Sequence, residues 1–239
     1  MRLTFIGTSH GVPEAEHRCS CTMIETGGRF YFVDMGTQAI EDIRRRDIPP
    51  EDVKGIFVTH MHGDHVNGLF SFVDICNWYF TSADPKIFLP TEEGIEALKG
   101  WINALEKRPW RGMELNTVHE GVIYDDGFIK ITAEQTKHTR ASFAYFAEAE
   151  GKTVLFTGDL RGVNEDYPKG AFGRTLDCVI CESAHIDPRG YAEAFEKSDI
   201  KRVFVNHCQP RKMPLVPELA GSCDKFPVRF ATDGMEVRI

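Results

Sequence analysis

Thr59-His60-Met61-His62-Gly63-Asp64-His65 packs three of the chain's nine histidines and an aspartate into seven residues, directly after the apolar run Gly55-Ile56-Phe57-Val58. That run is β-branched and aromatic and too short for a helix, so it reads as a buried strand whose end delivers the cluster into a loop. Imidazole nitrogen and carboxylate oxygen suit zinc, iron or manganese. In an irregular loop His60 and His62 can turn to one centre, and Asp64 and His65 to a second. Without metal, three crowded imidazoles would depress one another's protonation and leave buried polar groups to satisfy. Four ligands cannot saturate two ions, so the fold must bring more from elsewhere. Candidates stand just past apolar strands: His138 after Ile129-Lys130-Ile131-Thr132, Asp159 after Val154-Leu155-Phe156, and His207 after Val203-Phe204-Val205. Strand ends projecting into a common cleft on one edge of packed sheets would meet that demand.

The rest of the chain is compatible with such sheets. Strand-like runs are predicted at 3–6, 22–25, 30–33, 87–89, 118–124, 128–132, 143–147, 153–156, 178–181, 203–205, 228–230 and 235–237. Helices are predicted at 92–106, where Ile95, Leu98, Ile102 and Leu105 recur at helical spacing, at 191–197, and after Thr37 as an N-cap with Ile40 at N3. In that last helix Glu41 and Asp42 precede Arg44-Arg45-Arg46, matching the helix dipole, and the arginines read as a solvated helix end. The segment 69–80 is apolar nearly all round, as in a helix buried on several sides or one packed against another subunit, so a homodimer is left open. Two strand-rich halves with helices imply an α/β fold of two sheets face to face, helices outside, in one domain over 1–239.

Composition limits the function classes. Of 239 residues, 42% are hydrophobic and 27% charged, as in an ordinary globular protein. The net charge of −8 argues against a surface that holds nucleic acid by counterion release, so a phosphate-bearing substrate needs a local site. The apolar runs are too short to span a bilayer, and we expect a cytoplasmic protein with no membrane partner. Seven cysteines, among them Cys19-x-Cys21 and Cys178-x-x-Cys181, lack a paired disulfide framework and are expected to be reduced. Cys178 and Cys181 lie along an apolar strand and are expected in the core.

His60-x-His62-x-Asp64-His65 with Gly68 three residues on, followed in order by His138, Asp159 and His207, resembles the metallo-β-lactamase superfamily. The resemblance runs from Phe5-Ile6-Gly7-Thr8 and Phe32-Val33-Asp34-Met35-Gly36 to the end. It implies an αββα four-layer sandwich with two divalent transition metal ions, zinc first and manganese or iron as alternatives, at one edge. It further implies that His60, His62 and His138 hold one ion, Asp64, His65 and His207 the other, that Asp159 bridges, and that Asp34 supports the loops. Water between two divalent ions roughly 3.5–4 Å apart loses a proton near neutral pH and becomes a nucleophile, which Asp64 and Asp159 can orient.

Within the superfamily the chain looks nearest to the ribonuclease Z and cyclic phosphodiesterase branch. Gly7-Thr8-Ser9-x-Gly11-Val12-Pro13, Asp34-Met35-Gly36-Thr37-Gln38 and an aspartate at 159 carry that likeness. Branch members place a proton-relay histidine before the last ligand. Here Glu182-Ser183-Ala184-His185 makes His185 the candidate general acid. Ribonuclease Z enzymes carry a long arm between the positions of His138 and Asp159, where this chain has 20 residues. A small or cyclic phosphodiester therefore fits better than transfer RNA. Alternatives are a lactone, thioester or sulfate-ester hydrolase with the same site, a transfer RNA 3′-end endoribonuclease, and a non-enzymatic, metal-stabilised binding module. Lys107-Arg108-Pro109-Trp110-Arg111 reads as a solvated loop or as a lid meeting phosphate and a base. His10 and His17 can also face the cleft, while Cys19 and Cys21 are too few for a second metal site.

Overall fold

The computed structural model describes residues 1–105, 110 and 112–239. In the first half the strands are β1 (Arg2–Gly7), β2 (Cys21–Thr26), β3 (Arg29–Val33), β4 (Val53–Phe57), β5 (Lys86–Leu89), β6 (Leu115–Thr117), β7 (Gly121–Asp125) and β8 (Lys130–Thr136). There follow β9 (Ser142–Ala149), β10 (Lys152–Phe156), β11 (Thr175–Leu176), β12 (Cys178–Ser183), β13 (Asp199–Ile200), β14 (Val203–Cys208), β15 (Val228–Phe230) and β16 (Glu236–Arg238). The α-helices are α1 (Ile40–Arg45), α2 (Gly63–Trp78), α3 (Glu92–Ala104), α4 (Val163–Asp166), α5 (Ala192–Glu196) and α6 (Val216–Ser222). One mixed sheet runs β16-β1-β2-β3-β4-β5-β6, the other β15-β14-β12-β10-β9-β8-β7, and β11 pairs with β13.

Side-chain alternation along these strands builds the layers. Tyr31, Phe57 and Phe88 of the first sheet meet Tyr145, Phe156, Ile180 and Phe204 of the second. Phe32, Ile56 and Val58 face the other way, against Val66, Leu69, Phe72 and Leu98 of α2 and α3. On the far side Phe146, Leu155, Val179 and Val205 pack under Tyr191, Phe195 and Leu219. The result is the expected αββα sandwich. Cys178 and Cys181 are buried on opposite faces of β12, and all seven cysteines are free thiols.

Several boundaries differ from expectation, each for a local reason. The His-rich segment is a loop only as far as His62. Gly63 begins α2, so Asp64 and His65 sit in its first turn, where a carboxylate meets the positive end of the helix. Tertiary packing sets that start. Met35 N donates to the His65 carbonyl at 2.9 Å and Leu69 N to the Met35 carbonyl at 3.0 Å. A Cβ at Gly36 would lie 1.7 Å from the Asp64 carbonyl oxygen, and one at Gly68 1.9 Å from that of Thr37. Two glycines thus let the 35–37 backbone lie directly on the helix. Because Thr37 is used in that contact, α1 starts later, after Ala39, without a side-chain cap. The run expected at 118–124 becomes a strand only at Gly121, where β7 begins, and β6 just before it at Leu115–Thr117 belongs to the other sheet. The run 128–132 begins in a turn held by Asp126 and becomes β8 only at Lys130. α2 is buried along Val66, Leu69, Phe72, Val73 and Cys76 but leaves Trp78 49% exposed, so it is not covered all round. Among the described residues no helix is long and apolar enough to cross a membrane.

Candidate metal centre

The carboxyl ends of β4, β10, β12 and β14 and the loop after β8 converge on one edge of the sandwich. They bring together all seven residues expected as ligands. His60, His62, His138 and Asp159 form one group and Asp64, His65 and His207 another, and within each group the ligand atoms lie within 4.8 Å of one another. In the first, His60 Nε2 is 2.9 Å from His62 Nδ1, which is 3.3 Å from His138 Nε2. In the second, Asp64 Oδ2 is 3.3 Å from His65 Nε2 and 3.5 Å from His207 Nε2. Asp159 faces both: its Oδ2 is 3.7 Å from His60 Nε2, 3.6 Å from His138 Nε2 and 3.4 Å from His207 Nε2, and its Oδ1 is 3.6 Å from His65 Nε2.

The surrounding hydrogen bonds fix which nitrogen of each ring is available. His65 Nδ1 is 2.7 Å from Asp34 Oδ2, and His207 Nδ1 is 2.7 Å from the Ser9 carbonyl. Both acceptors require a proton on Nδ1, which leaves a lone pair on Nε2. Those two Nε2 atoms are buried and have no hydrogen-bond partner. Orphaned acceptors of this kind are costly in an apolar interior, and a divalent cation satisfies them. The donor set therefore fits metal. Asp34 also accepts from the Thr59 amide at 2.7 Å and from its hydroxyl at 3.0 Å, pinning the start of the His-rich loop. Asp34 and His207 adopt left-handed backbone, with φ of 57° and 47°. Such conformations are uncommon outside glycine and cluster at functional sites.

The electrostatics of the ion-free cage follow from its crowding. Burial, reinforced by the neighbouring imidazoles, pushes His60 down to about 2. Burial also acts to lower His65 and His207, but carboxylates overcome it, Asp34 and Asp159 for the first and Asp159 for the second. Burial would raise the Asp64 carboxyl, yet His65 holds it below the usual carboxylate range. Metal ions would replace those protons, so the cage is built to hold positive charge.

His185 stands at the rim, with Nε2 3.0 Å from Asp159 Oδ2, and that hydrogen bond raises its pKa. Its loop is held from two sides. The His185 amide donates to the buried Glu182 carboxylate at 2.8 Å, and Lys212 Nζ donates to the flanking carbonyls of Ala184 and Ile186 at 2.8 and 3.2 Å. Glu182 also accepts from the Leu160 amide at 3.2 Å, next to Asp159. Sequence reasoning missed Ser9, Thr59, Glu182 and Lys212 as supports. Ser9 acts through its main chain and left no signal, whereas an acid at a strand end beside the His185 segment could have flagged Glu182. His10 and His17 do not join the clusters: His10 pairs with Glu14 at 3.0 Å, and His17 Nδ1 lies 2.8 Å from the Thr8 hydroxyl. Trp110 packs on the α2/α3 side of the core. Arg108 and Arg111, the other members of the expected lid, lie outside the described residues.

Comparison with known proteins agrees with this layout. Residues 1–182 match the family described as Anti-Pycsar protein Apyc1. Ribonuclease Z of Gloeothece citriformis is 28% identical over 162 residues, covering 65% of this chain and 49% of that protein. Ribonuclease Z of Acaryochloris marina is 27% identical over 179 residues, covering 73% and 56%. The chain spans about half the length of the curated relatives it matches. Among solved structures, the short form of human tRNase Z superposes with a TM-score of 0.77 at 19% identity, covering 100% of this chain and 99% of that one. A diphosphatase from the PhnP family gives 0.72 at 17%, covering 100% and 97%, and the metallo-β-lactamase fold protein YhfI of Bacillus subtilis gives 0.74 at 16%, covering 99% and 98%. These likenesses carry the metallo-β-lactamase fold, and the family match covers most of the chain: the protein belongs to the Anti-Pycsar protein Apyc1 family.

Proposed function

We propose that the chain is a divalent-metal-dependent hydrolase of a small or cyclic phosphodiester, with residues 1–239 acting as one catalytic unit. The observation that carries this reading is the placement of Asp159 in reach of both histidine groups and of His185 at once. His60, His62 and His138 would hold one ion, Asp64, His65 and His207 a second, with Asp159 shared between them. Histidine-rich sets of this kind suit zinc, with manganese or iron as alternatives. When bound, the ions supply the charge that makes water nucleophilic near neutral pH and neutralises charge growing on the attacked phosphoryl group.

The chain's own residues do the rest. Asp64 and Asp159 face the space between the groups and accept hydrogen bonds there, orienting water toward the phosphorus. His185, hydrogen-bonded to Asp159 in a contact that raises its pKa and partly open to solvent, gives its Nε2 proton to the departing alkoxide oxygen as the P–O bond breaks. Glu182 and Lys212 fix the loop that carries it. A thioester hydrolase, whose thiolate leaves without a proton, has less use for an imidazolium acid so placed.

The ribonuclease Z relatives favour a second reading, cleavage of an RNA phosphodiester, and they weaken the expectation that nucleic acid is an improbable partner. Against it stand the net charge of −8 and the compact β9–β10 hairpin between His138 and Asp159. Elemental analysis after chelator-free purification, then a panel of 2′,3′-cyclic and 3′,5′-cyclic nucleotides, bis-aryl phosphate, lactones, thioesters and precursor transfer RNA, separates these readings. Two metals per chain, fastest turnover on a small phosphodiester, and a large loss for His185→Ala on alkoxide-leaving substrates are expected. One metal or none, or faster turnover of precursor RNA or a lactone, would overturn the proposal.

A further inference from the structure

A groove of about 350 Å³ opens beside the metal centre, lined chiefly by Met61, His62, Glu93, Gly94, Ala97 and Arg140. His62 connects the two: it turns Nδ1 into the first histidine group, 2.9 Å from His60 Nε2, and also walls the groove. The volume falls in the range of small-molecule sites. Resting on the phosphodiesterase reading, we infer that this groove is the subsite for a planar aromatic ring on the retained, non-leaving ester arm of the substrate, with its depth set by Gly94.

Four features support that occupant. Met61, Ala97 and Ala141 make much of the lining apolar, and methionine sulfur makes favourable contacts with ring edges. A Cβ at Gly94 would lie 2.9 Å from both Sδ and Cε of Met61, so the end of the Met61 side chain rests directly on the bare α-carbon of α3. At the rim Arg140 pairs with Glu93 at 2.8 Å, with side chains 77% and 71% exposed. An ion pair that exposed contributes little stability, so the guanidinium is free to leave it and stack on a ring face. Finally, Glu92 and Glu93 occupy the first turn of α3, whose Gly94 amide is already capped by Thr91. Those acids repel a second phosphate, which favours a neutral ring over a continuing nucleic-acid backbone. His185, the proposed acid for the leaving group, is absent from the lining, so the ring belongs to the arm that stays on phosphorus.

Binding of phenyl phosphate and methyl phosphate to metal-loaded protein is measured by calorimetry, alongside kcat/KM for phenyl and methyl p-nitrophenyl phosphates. Covering one face of a ring predicts about a tenfold preference for the phenyl compound in both readouts. Ala97→Phe, which fills the groove from an exposed helix position, should bring both ratios to near 1. Gly94→Ala, whose methyl displaces the end of the Met61 side chain that lines the groove, should lower them in the same direction. A wild-type preference below threefold, or a preference that Ala97→Phe leaves intact, overturns the subsite. A binding preference without cleavage of either ester would instead keep the subsite and remove the phosphodiesterase reading.

Discussion

Replacing Asp34 by asparagine tests whether the metal centre depends on a ring proton set from outside it. Asp34 is buried, and its carboxylate accepts from the Thr59 amide, the Thr59 hydroxyl and His65 Nδ1. Asparagine suits the left-handed φ of 57° as well as aspartate does, so the backbone is kept. The amide, however, offers one acceptor where two are needed. If its oxygen faces Thr59, the NH₂ meets His65 Nδ1 and forces the ring proton onto Nε2, the atom aimed into the cage. If its oxygen faces His65, the NH₂ meets the Thr59 amide, donor against donor. Either way one charge-assisted hydrogen bond is lost, about 1.5–3 kcal/mol. Loss of a partner behind a ligating histidine typically costs about 10–100-fold in metal affinity, which is about 1.4–2.7 kcal/mol, so the two routes agree. Competition with a chromophoric zinc chelator reads the affinity, and thermal unfolding of the metal-free protein reads the backbone cost separately. Affinity within threefold of wild type would refute the tautomer reasoning. So would a drop in metal-free stability with unchanged affinity.

Lys212→Met should release the two carbonyls that flank His185 while leaving the cage intact. We expect about a tenfold fall in kcat on alkoxide-leaving substrates with little change in KM, and a smaller effect on nitrophenyl esters, whose leaving groups need no acid. Parallel losses on both would make Lys212 a merely structural residue. Asp177 lies far from the centre, and although partial burial opposes its charge, Lys201 at 2.7 Å, the Thr153 amide at 3.0 Å and Lys152 at 3.1 Å hold it at about 2, below 3.8. A carboxyl depressed on folding stabilises above its unfolded pKa and loses that contribution as pH falls through the folded one. Discounted for solvent screening, the effect is about 1 kcal/mol. Urea unfolding of Asp177→Asn against wild type should therefore show a gap at pH 7 that closes between pH 4 and 2, and a gap constant with pH would contradict it.

The parts of this centre that could be read from the sequence are those in which a side chain both ends a strand and carries a lone pair. β4, β10 and β14 announce themselves as short β-branched and aromatic runs, and His60, Asp159 and His207 follow them closely enough to be picked out. The layer arrangement was legible for the same reason, since Ile56, Phe57 and Val58 must face alternately and all three are apolar. What escaped was set by contacts between distant backbones. The start of α2 depends on Met35 and Gly36, the start of α1 on the use of Thr37, and the tautomer of His207 on the carbonyl of Ser9, none of which carries a local pattern. Lys212 was invisible because one lysine in a loop reads as solvated until the carbonyls it reaches are known.

Each of the two histidine groups draws on both halves of the chain. His60, His62, Asp64 and His65 come from the edge of the first sheet, His138, Asp159 and His207 from the second. Each ion would therefore close a covalent-like ring running through both sheets, a clasp on the lip of the sandwich that adds to main-chain contacts such as Phe143 N to the Thr59 carbonyl at 2.9 Å. Removing metal would then do more than silence chemistry. It would unbuckle that lip, so amide exchange should rise in the 59–65, 157–160 and 206–209 segments together while the opposite ends of the same strands stay protected.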